Sequence, residues 1–68
     1  MKNFCFITTA YRIIREQYPK MKFGFASIEY HGDYIADVYF VAPGVTLRIH
    51  IEKTVYDNPE FVYAITRI

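Results

Sequence analysis

The sequence has few of the residues that small proteins use for internal cross-links or for reactive sites. It contains a single cysteine, Cys5, which excludes both a disulfide within the chain and a cysteine-based zinc site. Its three glycines stand apart from one another, so no glycine-rich loop is present to cradle a phosphate. No metal-binding spacing of recognised type occurs either. We therefore expect no cofactor, no metal site and no catalytic residues, and a binding role rather than an enzymatic one.

Long apolar runs and an excess of charge of one sign are also missing. No run approaches the length of a membrane span, and the first ten residues lack the features of a signal peptide, so we expect a cytoplasmic protein without membrane contact. Eight basic residues against seven acidic ones give a net charge of +1. This balance argues against both a strongly basic nucleic-acid clamp and an acidic nucleic-acid mimic.

The near-neutral total hides an uneven distribution of charge. Residues 1–22 hold five basic side chains against Glu16 alone, whereas residues 23–68 hold three basic side chains against six acidic ones. The basic segment could contact phosphates or an acidic protein, although a solvated helix face is the simpler interpretation. The candidate contacts are Arg12, Arg15, Lys20 and Lys22.

What the sequence does have is a large share of apolar and aromatic residues. Of its 68 residues, 53% are hydrophobic and 19% are aromatic, which is enough for one compact domain over residues 1–68 and argues against disorder. A chain of this size without disulfides or a structural metal needs either a dense core or association with a second copy. So many aromatic residues also predict that some lie at the surface.

The first third of the chain has the apolar spacing of an amphipathic helix. We predict a helix over residues 4–18, with Asn3 as its N-cap and Pro19 ending it. A short strand over residues 4–9 is the alternative, because Phe, Ile and Thr favour strands. The apolar stripe recurs at alternating spacings of three and four residues: Phe4, Ile7, Tyr11, Ile14 and Tyr18.

After Pro19 the apolar period falls to about two, which is typical of strands. We predict strands over residues 23–30, 34–42, 45–56 and 61–67, joined by turns at His31-Gly32, Pro43-Gly44 and residues 57–60. The predicted fold class is therefore α+β, with one N-terminal helix packed on one face of a four-stranded antiparallel meander, in the order α-β-β-β-β. A C-terminal helix capped by Asn58 is the alternative for the last segment.

Two-residue turns fix a register for the first three strands. They place three apolar pairs of the second hairpin on one face, namely Phe40 with Leu47, Val38 with Ile49 and Ala36 with Ile51. They set Phe25 opposite Val38 and Phe23 opposite Phe40 in the first hairpin, again on that face. The last strand has two possible registers, one burying Val62, Ala64 and Thr66 and the other burying Phe61, Tyr63 and Ile65.

The same registers define a second face that no helix covers. On it Tyr39 lies opposite Arg48, Asp37 opposite His50 and Ile35 opposite Glu52. Ser27 is expected on the helix-covered face instead. Apolar and aromatic side chains rimmed by charges are typical of a protein interface, although ordinary cross-strand pairs would look the same. The predicted interface consists of Ile28, Tyr30, Ile35, Asp37, Tyr39, Arg48, His50 and Glu52.

We therefore expect a small intracellular protein-interaction module of the inhibitor or regulator type. It would act through the open face of its sheet or through homodimerisation. Regulators of this size and composition are often carried by phages and mobile elements, which is an analogy at the level of fold only.

Two other functions remain open from the sequence. The first is nucleic-acid binding, through the basic helix or by stacking bases on Tyr30 and Tyr39. The second is a small hydrolase or ribonuclease centred on His50, with Asp37 orienting the imidazole.

Three further sites in the sequence have weaker chemical interpretations. Asp37, His50 and Glu52 could supply metal ligands, but a flat sheet gives no shelter from water. His31 is expected at the tip of the first hairpin, so that His31 and His50 lie at opposite ends of their hairpins and a joint metal site is not expected. Cys5 is expected to be a small, partly buried residue of the first helical turn.

Overall fold

The computed structural model describes residues 4–54 and 60–68. It contains one helix, α1 (Phe6–Gln17), and four strands: β1 (Gly24–Tyr30), β2 (Ile35–Ala42), β3 (Val45–Lys53) and β4 (Phe61–Arg67). The strands form one antiparallel sheet in the order β1-β2-β3-β4, so the predicted α+β meander is confirmed. Within the described segments no helix has both the length and the apolar character that a membrane span requires.

Helix α1 is shorter than predicted at both ends. Cys5 has extended backbone angles (φ −116°, ψ 114°) and takes the N-cap position, and its carbonyl oxygen accepts the N–H of Thr9 at 3.0 Å. The helix ends at Gln17 because Tyr18 leaves helical geometry (φ −133°) immediately before Pro19. The alternative strand over residues 4–9 is therefore wrong. The predicted N-cap, Asn3, lies outside the described residues.

The core lies between α1 and the two central strands. The predicted pairs of β2 and β3 are confirmed, and Val38, Phe40, Ile49 and Ile51 are completely buried beneath the helix. Strict alternation of apolar and polar residues on β3, with Ala36, Val38 and Phe40 at alternate positions of β2 and a two-residue turn at Pro43-Gly44, gives the pairing a single favourable register. The helix contributes Phe6, Ala10, Ile13 and Ile14 to the same core.

The predicted register of β1 against β2 is wrong by three residues over most of the strand. Ile28, not Phe25, lies opposite Val38, and Tyr30 lies opposite Ala36. An odd shift exchanges the two faces, so Ile28 and Tyr30 lie on the helix side of the sheet. The ring of Tyr30 meets the ring of Phe6 edge-on, with 6.0 Å between their centroids.

Two local features produce this register. The first hairpin closes around a three-residue loop, residues 32–34, in which the N–H of His31 donates to the carbonyl of Ile35 at 2.9 Å. A bulge between Phe25 and Ser27 then takes back one residue, so the shift is two residues at Phe25. As a result Phe25 faces Phe40, where the predicted register had Phe23, and it stays on the helix side because the shift there is even.

The last segment is a strand, so the alternative C-terminal helix is wrong. Of the two registers left open, the structure has the one that turns Phe61, Tyr63 and Ile65 toward the helix side. Gln17 of α1 donates a hydrogen bond from Nε2 to the hydroxyl of Tyr63 at 3.1 Å, which ties the helix to this strand. Strand β3 ends at Lys53, and the predicted extension over residues 55–56 and most of the predicted turn at 57–60 lie outside the described residues.

Candidate protein interface and its histidine–carboxylate network

The sheet leaves one broad surface, which we call the open face, on the side away from α1. None of the described elements lies over it. Its side chains form four rows across the sheet, since paired residues share a face. The rows are Val41 and Thr46; Ser27, Tyr39, Arg48 and Thr66; Glu29, Asp37, His50 and Ala64; and Ile35, Glu52 and Val62.

A chain of alternating carboxylates and imidazoles crosses the open face. Nδ1 of His50 lies 2.6 Å from Oδ1 of Asp37, and Nε2 of the same ring lies 2.8 Å from Oε2 of Glu52. The second oxygen of Asp37, Oδ2, lies 2.9 Å from Nε2 of His31. That nitrogen also lies 3.7 Å from Oε1 of Glu29. We call these five residues, which come from β1, β2, β3 and the position just before the first hairpin loop, the histidine–carboxylate network.

His31 resolves an unfavourable contact that the register creates. Glu29 and Asp37 lie directly opposite each other on β1 and β2, and like charges in that position destabilise a sheet. The His31 ring reaches back from the loop to both carboxylates. An imidazole there offers each carboxylate a polar partner, so the histidine allows two acidic side chains to share one cross-strand pair.

The network shifts the pKa of each of its two central groups, His50 and Asp37. The hydrogen bond to Glu52, followed by the one to Asp37, raises the pKa of His50 above its usual value, because an imidazolium can donate from both ring nitrogens. Burial acts to raise the pKa of Asp37, but the hydrogen bonds with His50 and His31 outweigh it, so the pKa of Asp37 is lowered. The Asp37 side chain is 14% exposed, which makes it the sheltered centre of the network.

Most of the predicted interface comes together on the open face, and two residues do not. Ile35, Asp37, Tyr39, Arg48, His50 and Glu52 all lie there with the predicted pairings. Ile28 and Tyr30 are the corrections, since the β1 register places them on the helix side. Ser27, expected under the helix, is exposed on the open face opposite Tyr39.

Sequence reasoning missed Glu29 and His31 as members of the network. One signal could have found them: the predicted register places the charged Glu29 on the helix-covered face, where a carboxylate is costly to bury. His31 and His50 were expected at opposite ends of their hairpins, which argued against a joint site. The turn of the first hairpin and the open end of the second lie at the same end of the sheet, because β2 starts next to the first hairpin loop and His50 faces the start of β2.

One group within the described segments has the spacing of metal ligands. The ligand atoms of Glu29, His31 and Asp37 all lie within 4.8 Å of one another. One imidazole and two carboxylates would suit a divalent transition metal. The 2.9 Å contact between His31 and Asp37 already satisfies both atoms with a hydrogen bond, so the geometry of the group is accounted for by the network itself.

The arrangement of His50 differs from that of a catalytic base. A general base needs one ring nitrogen free for substrate while a carboxylate holds the other. In this structure Asp37 and Glu52 each contact one nitrogen of His50, so neither nitrogen faces outward alone. The network is therefore better suited to fixing charges in place than to moving a proton.

The basic residues singled out in the sequence are all exposed. Arg12 lies over the ring of Phe61, with its guanidinium carbon 5.9 Å from the ring centroid. Arg12 and Arg15 belong to α1 and so lie on the opposite side of the sheet from the network. The candidate phosphate contacts and the candidate protein interface are therefore separate surfaces, with Lys20 and Lys22 in the connection to β1.

Cys5 is exposed, contrary to the expectation that it is partly buried. The Thr8 hydroxyl donates a hydrogen bond to its sulfur at 3.3 Å, and this bond is the main cause of a lowered pKa of the Cys5 thiol. An exposed thiol of this kind is accessible to reagents.

Comparison with known proteins gives no relative from which a function could be carried over. No protein-family model, no curated protein and no solved structure matches this chain.

Proposed function

We propose that this chain is a small protein-interaction module, of the kind that inhibits or regulates a partner, and that it binds through the open face of its sheet. One observation supports this most. Helix α1 covers one face, whereas the opposite face presents Tyr39, Ile35, Val41 and Val62 with no described element over them. Apolar and aromatic groups set among polar ones are typical of protein interfaces.

The charges of the open face suggest the chemistry of the partner. Among the residues that the structure describes, three carboxylates, those of Glu29, Asp37 and Glu52, share the face with one guanidinium, that of Arg48. The side chains of Glu29 and Glu52 are 63% and 50% exposed, so each can pair with a cation from outside. We infer a protein partner that presents lysine or arginine to these glutamates. A nucleic acid would bring phosphates against the same carboxylates and is disfavoured on this face.

The network also lowers the cost of binding. Ordering a free side chain at an interface costs about 0.5–1.5 kcal/mol. The central carboxylate of Asp37 is already held by contacts with two imidazoles, and His50 is held at both nitrogens. Such groups lose little further freedom when a partner docks, which supports the use of this face for recognition.

The proposal can be tested with two matched pairs of variants. The immobilised chain is used to capture proteins from an extract of its source cells, and captured proteins are then titrated against each variant. Glu52→Lys reverses a charge on the open face, and Glu16→Lys makes the same change at an exposed position on α1. Tyr39→Ala removes a ring from the open face, and Tyr30→Ala removes one from the helix side.

We expect one partner whose affinity falls about tenfold or more with Glu52→Lys and with Tyr39→Ala, which corresponds to about 1.4 kcal/mol. The two control variants should bind as the natural chain does, and circular dichroism should show all four to be folded. The proposal is wrong if the captured proteins bind Glu52→Lys and Tyr39→Ala as tightly as the natural chain. It is also wrong if the extract holds no protein whose affinity falls for these two variants and stays unchanged for the two controls.

A further inference from the structure

Strand β4 has one edge without a neighbouring strand among the described residues. The N–H of Ile68 donates to the carbonyl of Thr46, and the N–H of Thr54 donates to the carbonyl of Glu60. Even-numbered positions of this segment therefore bond to β3, since inward and outward backbone groups alternate along an antiparallel strand. The outward N–H and C=O groups belong to Phe61, Tyr63, Ile65 and Arg67.

The two edges of the sheet differ in how far they are protected from pairing. Strand β1 carries a bulge between Phe25 and Ser27, which interrupts its regular hydrogen-bonding pattern. Strand β4 keeps one register against β3 from Phe61 to Arg67 and contains neither a bulge nor a proline. Its one charged side chain is at the end of the strand. Proteins normally protect such a regular edge, so an unprotected one favours pairing with another strand.

The β4 edge is complementary to itself. If a two-fold axis perpendicular to the sheet passes beside Ala64, Tyr63 of one copy faces Ile65 of the other, and Phe61 faces Arg67. Each of these is a pair of outward positions, and such pairs exchange two hydrogen bonds. This register therefore satisfies every outward backbone group of the strand. Aromatic side chains opposite a β-branched residue or a guanidinium are also favourable cross-strand pairs.

We propose that two copies of this chain pair through their β4 edges to form one continuous eight-stranded antiparallel sheet. Outward positions pair with outward positions, so both helices lie on one side of that sheet and both open faces lie on the other. The small side chain of Ala64 lies next to the axis, where the backbones of a non-hydrogen-bonded pair approach most closely. This pairing does not depend on whether the open face binds a partner protein, since it uses the strand edge.

A disulfide trap tests the register as well as the association. In a Cys5→Ser background, Ala64→Cys places two thiols opposite each other at a Cα separation of about 4.5 Å, which is within the range for a disulfide. The matched control is Val62→Cys, on the same strand and face and itself 60% exposed. In the proposed dimer its two copies stand about 13 Å apart. We expect the Ala64→Cys chain to cross-link under mild oxidation at least tenfold faster than the Val62→Cys chain.

A second experiment measures the molar mass by light scattering over a series of protein concentrations that extends into the hundreds of micromolar. The natural chain should approach twice its monomer mass of 8.1 kDa. Ala64→Lys, which opposes two like charges at the axis, should stay monomeric. Ser27→Lys, which adds the same charge to the open face at the β1 edge, should still dimerise. A natural chain that stays monomeric at every concentration overturns the proposal, and so does equal cross-linking of the two cysteine variants.

Discussion

Asp37 and His50 face each other across β2 and β3, and Nδ1 of the imidazole lies 2.6 Å from Oδ1 of the carboxylate. This pair is the centre of a network that runs over three strands, and it has consequences for stability and titration. The free energies of unfolding of variants are to be compared at one fixed protein concentration, because association of the chain would make its stability depend on concentration.

The first prediction concerns the pH dependence of stability. The pKa of His50 is raised above its usual value by its hydrogen bonds to Glu52 and Asp37, so the folded state favours the protonated ring. The resulting stabilisation is complete below the unfolded pKa and is lost as pH rises through the folded pKa. We expect the difference in free energy of unfolding between the natural chain and His50→Gln to shrink from pH 6 to pH 9. Urea denaturation at a series of pH values measures it, and a difference that does not change over this range would contradict the assignment.

The second prediction concerns the charge of Asp37. Replacing Asp37 by Asn removes a carboxylate that stabilises the His50 imidazolium, so the titration midpoint of His50 should fall. NMR titration of the imidazole protons measures this midpoint directly. Asp33→Asn is the control, because Asp33 is an exposed residue of the first hairpin loop. An equal fall in both variants would mean that overall charge, and not the contact with Asp37, sets the His50 pKa.

The third prediction concerns the two faces of β2. Val38 is completely buried beneath α1, whereas Val41 is 41% exposed on the open face. Val38→Ala should lower the free energy of unfolding by about 2 kcal/mol, from lost burial and the cavity left behind. Val41→Ala should cost less than about 0.5 kcal/mol. Chemical denaturation compares the two, and similar costs would mean that the faces are assigned wrongly.

The fourth prediction concerns the turn between β2 and β3. Gly44 has φ +76°, a conformation in which an L side chain is strained, whereas Gly24 in β1 has no such angle. Gly44→Ala should therefore cost about 1–2 kcal/mol. At Gly24 an added Cβ would meet only the carbonyl oxygen of Val41 at 3.9 Å, an ordinary contact. Thermal melts of the two alanine variants should differ, with Gly24→Ala close to the natural chain.

The fifth prediction separates the observed β1 register from the one expected from two-residue loops. Ile28 packs against the core in this structure, and Ser27 is exposed on the open face. Ile28→Lys should cost about 1–3 kcal/mol, because it removes a partly buried apolar group and places a charge beside the core. Ser27→Lys should be nearly neutral. The reverse ranking in urea denaturation would restore the expected register.

Pattern and turn chemistry alone were enough to predict much of the fold. Strict alternation on β3 and apolar residues at alternate positions of β2, with a two-residue turn between the strands, favour one register that buries the apolar side chains of one face. The pairs of Asp37 with His50 and of Tyr39 with Arg48 follow from that register, and the structure has both. The helix was predicted by its apolar spacing, and its bounds changed only because the last residues at each end leave helical geometry.

The register predicted for β1 was wrong and that of β4 was left open, and tertiary packing decided both. The first hairpin closes around three residues and not the expected two, and β4 carries apolar residues on both of its faces. Packing of Tyr30 against Phe6 and of Ile65 against the core accompanies the registers that the structure has. Since a shift of one or three residues exchanges the faces of a strand, this choice also determined which side chains occupy the open face. It is why His31 reaches Asp37: local sequence determines where a strand runs, but burial against the rest of the chain determines which way its side chains point.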